Sequence, residues 1–547
     1  MRRAVAIPQM ILRGRALTMN PSLPVAEAVA VREGRISAVG TWDEVRVLAA
    51  ARTEIVDVGT RTILPGFQDA HVHPPQSGLE GMRCDLTDLG GSEAYLEAIH
   101  EYAQTHRDDP WILGGGWALD RFPHGTPARD PLDVVVPDRP AFLVNRDGHV
   151  AWVNSRALEL AGIDRRTSDP PDGRIERDGA GEPSGTLHEG AMELVKRWLP
   201  PVGVDQWQRA ILLAQRHLHG LGITAWQDAW VTPETLRAYR DLAERGELTA
   251  RVVSSLWWDR NRGQEQVEEL RELRASVSGR LRASTVKMMQ DGIVENFTAA
   301  MIEPYLEGDG SSAGGGLSFV DPESLARHVV RLDREGFQVH VHAIGDRAVR
   351  EALDAFEAAR AANGPGPNRH HIAHLQIVHP DDIPRFATLG VTANIQAFWA
   401  CLDDQMRDLN FPVLGPERVA HLYPFATLAR SGARLAMGSD WSVTTADPFH
   451  QIQVALTRVP FDHPEREALL PEERLDLSTA LHAFTMGSAR VNHLDRDTGS
   501  IEQGKFADLV VADRDVTAAP PDSIGEARVL LSMVEGRIVH RDPALPG

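Results

Sequence analysis

In Asp69-Ala70-His71-Val72-His73 two histidines alternate at the end of an apolar run, Ile63-Leu64-Pro65-Gly66-Phe67. Residues i and i+2 of an extended strand share a face, so His71 and His73 project side by side. Two imidazoles on one face make a ready pair of metal ligands, and Asp69 on the same face is placed to stand behind them as an orienting carboxylate. Alternating histidines also end strands without any metal, where the rings only hydrogen-bond. The case therefore rests on what else the chain brings to the same place.

Other β-rich runs carry residues that ligate or titrate: Lys287 within 285–291, His342 ending 337–342, His374 ending 370–374 and Asp440 ending 434–440. A lone buried histidine is ordinarily a satisfied core residue. Four histidines, an aspartate and a lysine at strand ends of a parallel barrel would instead converge on one site. Imidazole and carboxylate ligands suit a borderline divalent cation, zinc first, with manganese, iron or nickel as alternatives. Such an ion lowers the pKa of water toward ~7 and makes hydroxide available at neutral pH. Asp440 has two roles open to it, a ligand and a base that accepts a proton and passes it to a leaving group. The plainer alternative, in the setting Gly438-Ser439-Asp440-Trp441-Ser442, is a helix cap.

The elements that must position these residues are eight candidate strands at 63–69, 223–228, 251–257, 285–291, 337–342, 370–374, 391–395 and 434–440. Helical patterns such as 322–335 and 348–362 fall between them, the latter ended by Asn363-Gly364-Pro365. This alternation predicts an α/β fold, a (β/α)₈ TIM-type barrel over residues 63–496. The gap between the first two strands is too long for one loop and helix. Residues 76–200 are therefore expected to form an insertion over the barrel mouth, a lid or pocket wall, with a peripheral oligomerisation element as the alternative. The ends read alike: Glu33-Gly34-Arg35 and Glu535-Gly536-Arg537 each sit between β-rich runs as hairpin turns. Residues 1–62 and 497–547 are accordingly expected to build one small β-sandwich domain, since neither half buries a face alone.

With 547 residues, 42% hydrophobic and 24% charged, the chain has the composition of a globular enzyme. A formal net charge of -20 argues against nucleic acid or an anionic membrane as partner, both of which attract basic patches. Cys84 and Cys401 are its two cysteines, so there is no disulfide framework and each is expected to be an inert buried thiol. Met1-Arg2-Arg3-Ala4-Val5-Ala6-Ile7-Pro8 has the charges of a signal peptide without the apolar segment that should follow, and no window approaches the roughly 18 apolar residues of a membrane span. These features lead to the expectation of a cytoplasmic protein acting on a small molecule.

The combination resembles the amidohydrolase superfamily, in particular the large amidohydrolase family 3 type that includes N-substituted formamide deformylase-like enzymes. The matching stretches are Leu64-Pro65-Gly66-Phe67-Gln68-Asp69-Ala70-His71-Val72-His73, Asp147-Gly148-His149 with Val153-Asn154-Ser155, His342-Ala343-Ile344-Gly345-Asp346-Arg347-Ala348, Gly438-Ser439-Asp440-Trp441 and Gly499-Ser500-Ile501-Glu502-Gln503-Gly504-Lys505-Phe506-Ala507-Asp508-Leu509-Val510. They run from near residue 60 to 512; the set is specific, each piece alone is not. The resemblance implies that His71 and His73 bind an inner metal with Asp440, and that His342 and His374 bind an outer metal or, with one metal only, orient water and substrate. It places Lys287 where two-metal members carry a bridging lysine. An ammonium cannot ligate a cation, so bridging requires an N6-carboxylysine; the alternative is a buried pair of Lys287 with Asp291. The family also implies a homodimer. Deaminase-like relatives have a glutamate three residues after the fifth-strand histidine; Gly345 stands there, which argues against purine or pyrimidine deamination, and the neighbouring Asp346 is read as structural.

Substrate contacts are assigned to His149, in the polar turn Arg146-Asp147-Gly148-His149, and to Trp117 and Trp441, with Trp399 a further candidate. His370 is expected in phase with His374, with His371 out of phase and facing the helices. The reading that follows is a metal-dependent hydrolase of a non-peptide C–N bond in an amide, formamide, carbamate or cyclic amide. Its alternatives are an esterase or lactonase, a decarboxylase or isomerase on the same site, and a non-catalytic metal-binding regulatory protein.

Overall fold

The computed structural model describes residues 7–87, 89–306 and 314–545. The signal-like charges at Arg2 and Arg3 lie outside the described residues. Eight parallel strands form one nearly closed sheet in chain order: β1 (Phe67–Val72), β2 (Ile223–Val231), β3 (Arg251–Trp257), β4 (Leu281–Met289), β5 (Gln338–Ala343), β6 (His371–His374), β7 (Thr392–Ile395) and β8 (Arg434–Met437). Helices return the chain between strands, as Pro233–Glu244 does after β2 and Asp346–Asn363 after β5. Their apolar faces and the outer faces of the strands share one large core that includes Trp226, Val286, Val339, Leu353 and Ile372. No helix among the described residues is long and apolar enough to cross a membrane.

The seam between β1 and β8 is bridged by individual contacts instead of a ladder. The Asp440 N–H donates to the His71 carbonyl at 2.7 Å, and Asn394 Nδ2 donates to the Ala70 carbonyl at 2.8 Å. Gly438 is required here, because a Cβ would lie 2.6 Å from the His71 Cβ and from its backbone nitrogen. Closing the seam thus places Asp440 beside His71.

The barrel interior is polar below the site. Gln227 accepts from Ser255 Oγ at 3.1 Å, shares a hydrogen bond with His371 Nε2 at 2.9 Å and donates to Gln338 Oε1 at 3.1 Å. Buried polar groups of this kind must be paired, and this network pairs them.

The first barrel strand begins later than the apolar run suggested. Ile63, Leu64 and Pro65 pair with Val511, Val510 and Leu509 in a second sheet, and β1 starts at Phe67 beyond Gly66. A Cβ on Gly66 would stand 2.4 Å from Thr224 Oγ1, so glycine lets the chain cross from one sheet to the other. That second sheet has seven strands, ordered Arg537–Arg541, Val529–Val534, Leu509–Ala512, Glu54–Pro65, Met10–Leu17, Val25–Arg32 and Arg35–Gly40. Residues from both ends fill a common core, including Leu12, Val29, Val56, Leu509 and Met533. The two hairpins have positive φ at both central residues, Glu33 and Gly34 in one, Glu535 and Gly536 in the other, as a type I′ turn demands.

Arg251, at the start of β3, ties this sheet to the barrel. Its guanidinium donates to Asp508 and, at 2.6 Å, to Glu535 Oε1, with Arg251 and Asp508 both buried. Arg251→Ala leaves the Asp508 carboxylate buried without its partner, and should cost about 3–5 kcal/mol. A lowered urea midpoint at unchanged slope would report that loss; an unchanged midpoint would show that the bridge is dispensable.

Between β1 and β2 the chain builds a six-stranded sheet, ordered Gly173–Arg177, Pro183–Glu189, Val150–Val153, Ala141–Asn145, Ile112–Trp117 and Cys84–Asp85. Cys84 and Cys401 are free and buried, and burial pushes the Cys84 thiol up to about 12.

Candidate metal centre

The strand ends carry the candidate residues to one place. His71, His374 and Asp440 each offer a ligand atom, and these atoms all lie within 4.8 Å of one another, each on a buried residue. His71 Nε2 stands 3.2 Å and His73 Nε2 3.0 Å from Asp440 Oδ1, and His374 Nδ1 lies 3.9 Å from Asp440 Oδ2. His73 is just past the end of β1, at the N-terminus of helix Pro74–Glu80, and its N–H is fixed by the Trp441 carbonyl at 3.0 Å. The His342 ring is 4.4 Å from the His374 ring, while its Nε2 lies 3.3 Å from the Gly292 carbonyl.

His374 reaches this cluster because β6 ends in an unusual backbone. Its φ of 80° breaks the alternation of the strand. Its neighbours therefore lie opposite to the expected phase: His371 is inside the barrel, its ring 4.0 Å from that of His340, and His370 faces the helices, stacked on Phe356 with Nε2 3.0 Å from Asp333. The strand register is counted from the wrong end when its last residue is left-handed.

Asp69 does not touch the imidazoles. Its carboxylate accepts from the N–H of His71 at 2.9 Å and from the N–H and hydroxyl of Ser439, holding the two barrel ends together. The residue behind His71 is His340, whose Nε2 shares a 2.9 Å hydrogen bond with His71 Nδ1. Sequence reasoning missed it although the signal was present: His340-Val341-His342 repeats the alternation of His71-Val72-His73.

Lys287 is 2% exposed, and its amine makes no hydrogen bond or ion pair among the described residues. The expected alternative partner, Asp291, is already engaged by the N–H groups of Ala300, Ile344 and Gly345 at 2.9, 3.0 and 2.8 Å. Burial pulls the Lys287 amine down to about 7 against the opposing pull of Asp440. Asp346 accepts from the Ile302 N–H at 2.8 Å, a structural bond.

Burial, reinforced by Lys287 and neighbouring rings, holds His71 and His342 well below the usual imidazole range, and His374 follows for the same reasons. They are neutral, the form in which imidazole ligates a metal. Burial alone would raise Asp440, yet the hydrogen bond from the His73 ring at 3.0 Å and the nearby His374 and Lys287 side chains hold it below the ordinary carboxylate value. His374 Nδ1 and His73 Nδ1 are buried without a hydrogen-bond partner among the described residues, and the buried Asp440 Oδ1 meets the His71 and His73 rings. Unpaired buried polar atoms are costly, and here the free His374 Nδ1 stands beside the Asp440 carboxylate. The donor set fits a borderline divalent cation.

The proposed substrate contacts separate. His149 comes within 5.6 Å of the His342 ring, its Nδ1 2.8 Å from Glu189 Oε1. Trp441 follows β8 and stacks on His217 at 4.7 Å. Trp399 lies parallel to the His374 ring at 5.1 Å. Trp117 belongs elsewhere: it is fully buried in the core of the inserted sheet against Phe122 and Trp152, with Nε1 donating to the Leu143 carbonyl at 2.9 Å. Its apolar ring and single donor are both satisfied there. Trp230, at the end of β2, stands edge-on to His73 at 6.5 Å and was not foreseen.

The profile described as the Amidohydrolase family matches residues 54–540. The chain is 33% identical over 519 residues to Protein LONG AFTER FAR-RED 3 of Arabidopsis thaliana, covering 92% of this chain and 86% of that one. It is 28% identical over 543 residues to N-substituted formamide deformylase of Arthrobacter pascens, covering 96% and 97%. Among solved structures, an uncharacterized metal-dependent hydrolase from Pyrococcus furiosus aligns with a TM-score of 0.70 at 28% identity, over 92% of this chain and 99% of that chain.

Proposed function

Because the chain belongs to the amidohydrolase family, we propose that it is a metal-dependent hydrolase of a non-peptide C–N bond, with amides, N-substituted formamides, carbamates and cyclic amides as the substrate class. The observation that carries this reading is the buried Asp440 Oδ1, just past the end of β8, held within 3.2 Å of both His71 Nε2 and His73 Nε2. His71, His73, His374 and Asp440 would hold the ion, zinc first, with His342 beside them and Lys287 as a carboxylated bridge if two ions bind. A divalent cation there supplies Lewis-acid polarisation of a carbonyl and acidifies water.

The protein's own part is proton traffic and orientation. Asp440, kept ionised by its neighbours, takes a proton from the attacking water and delivers it to the leaving nitrogen as the C–N bond breaks. His340 fixes the ring of His71 through Nδ1. Half-buried Trp399 and Trp441 form an apolar rim that suits an apolar substituent on the nitrogen, and the inserted sheet serves as pocket wall. The relative named N-substituted formamide deformylase makes N-substituted formamides the first substrates to try.

The test is a panel of such formamides, amides, carbamates and cyclic amides set against esters and lactones, on protein of measured metal content. Amine release that a chelator abolishes and a divalent cation restores is the expected result. Turnover of esters alone would move the reading to an esterase. Metal-loaded protein with no turnover on any member would favour a regulatory protein.

A further inference from the structure

Glu189 ends a strand of the inserted sheet, yet its carboxylate is buried against the barrel. Three donors from two segments converge on Oε1: His149 Nδ1 at 2.8 Å, and Asn296 Nδ2 and Thr298 Oγ1 of one loop after β4, each at 3.0 Å. The Glu189 N–H in turn donates to the His149 carbonyl at 2.9 Å. The backbone bends to achieve this, for Glu189 has φ 49° and ψ -124°, a region that a residue with a Cβ rarely adopts. The barrel makes room as well: a Cβ on Gly292 would lie 2.4 Å from Glu189 Oε1. Strain and a missing side chain on two elements serve one contact.

The purpose of that contact is legible in the imidazole it holds. His149 is 12% exposed and its ring is 5.6 Å from that of His342. Nδ1 is committed to Glu189, and Nε2 has no partner among the described residues. A buried ring clamped at one nitrogen and free at the other is oriented for something that arrives later.

We propose that His149 touches the substrate's amide group through Nε2, and that Glu189 is the positioning residue that fixes the ring for that contact. The inserted sheet then contributes part of the site itself, beyond covering it. This inference rests on the reading of the protein as a C–N hydrolase.

The test uses the metal-loaded full chain and the variants His149→Ala, Glu189→Gln, Glu189→Asp and His149→Ala/Glu189→Gln. His149→Ala should lower kcat/KM about 10²-fold and Glu189→Gln about 10- to 100-fold, with metal content unchanged. The double variant should be no slower than His149→Ala, because Glu189 acts only through His149, and Glu189→Asp should recover part of the loss. Single effects that multiply in the double variant would overturn the proposal. An NMR arm on histidine-labelled protein needs no turnover. The His149 Nδ1–H resonance should be present in the wild type and in Asp440→Asn, and absent in Glu189→Ala, which leaves no acceptor. If it persists in Glu189→Ala, the positioning role is wrong. If it behaves as expected while no C–N substrate is turned over, the hydrolase reading has failed and the clamp has not.

Discussion

Asp440→Asn should lower kcat about 10²- to 10⁴-fold, the contribution of a well-placed acid–base group, while the protein folds and elutes as the wild type does. The substitution keeps the size of the side chain, and the backbone N–H still donates to the His71 carbonyl across the barrel seam. What changes is charge. An amide presents no anionic oxygen to His71 and His73 and cannot carry a proton to the leaving nitrogen. Turnover is to be expressed per bound metal, so that weakened binding and lost proton transfer are read separately. Wild-type turnover per metal in Asp440→Asn would remove the acid–base role and leave Asp440 a ligand alone.

If Lys287 is the carboxylated bridge of a two-ion site, Lys287→Met should remove one ion and most of the activity. The Lys287 amine is buried without a protein partner among the described residues and drawn down to about 7 by its burial. Near neutrality much of it is uncharged, the form whose lone pair attacks carbon dioxide. An N–C bond forms, a proton leaves the nitrogen, and the product is an anionic carbamate with oxygens that can bridge. The sign of the pH dependence follows: above about 7 the amine is free to react, and below it protonation withdraws the lone pair. Metal reconstitution should therefore require bicarbonate and slow about tenfold for each pH unit below 7. Native mass spectrometry should find one added carbon dioxide in the wild type and none in Lys287→Met. An unmodified Lys287 in fully active protein would rule the bridge out.

Much of this architecture could be read from the residues alone, for reasons that differ by element. The strands were visible because parallel strands buried on both faces are short continuous apolar runs, and the histidines at their ends break those runs abruptly. Asp440 and His71 were separately legible; their meeting depends on the closure of the barrel, which Gly438 permits and which no local pattern encodes. His374 was found for an incomplete reason. Its place in the site comes from a left-handed backbone at the strand end, and the same feature inverted the expectation for His370 and His371. Trp117 shows the opposite failure. Its aromatic, glycine-rich surroundings suggested a pocket, but the glycines let strands approach closely: a Cβ on Gly114 would lie 2.0 Å from the Cys84 carbonyl. Glu189 carried no signal, since its importance lies in contacts with Asn296 and Thr298, more than a hundred positions away.

The strand Glu54–Pro65 runs straight into β1, yet its edge partner is Leu509–Ala512. During synthesis, that edge emerges early and stays unpaired while every barrel strand is made. Long-range pairing of this kind is slow and leaves an exposed edge open to wrong partners in the interval. The seven-stranded sheet is thus the last piece to be completed and, through Arg251, the clasp that locks the finished barrel. Birth order and assembly order run in opposite directions in this chain.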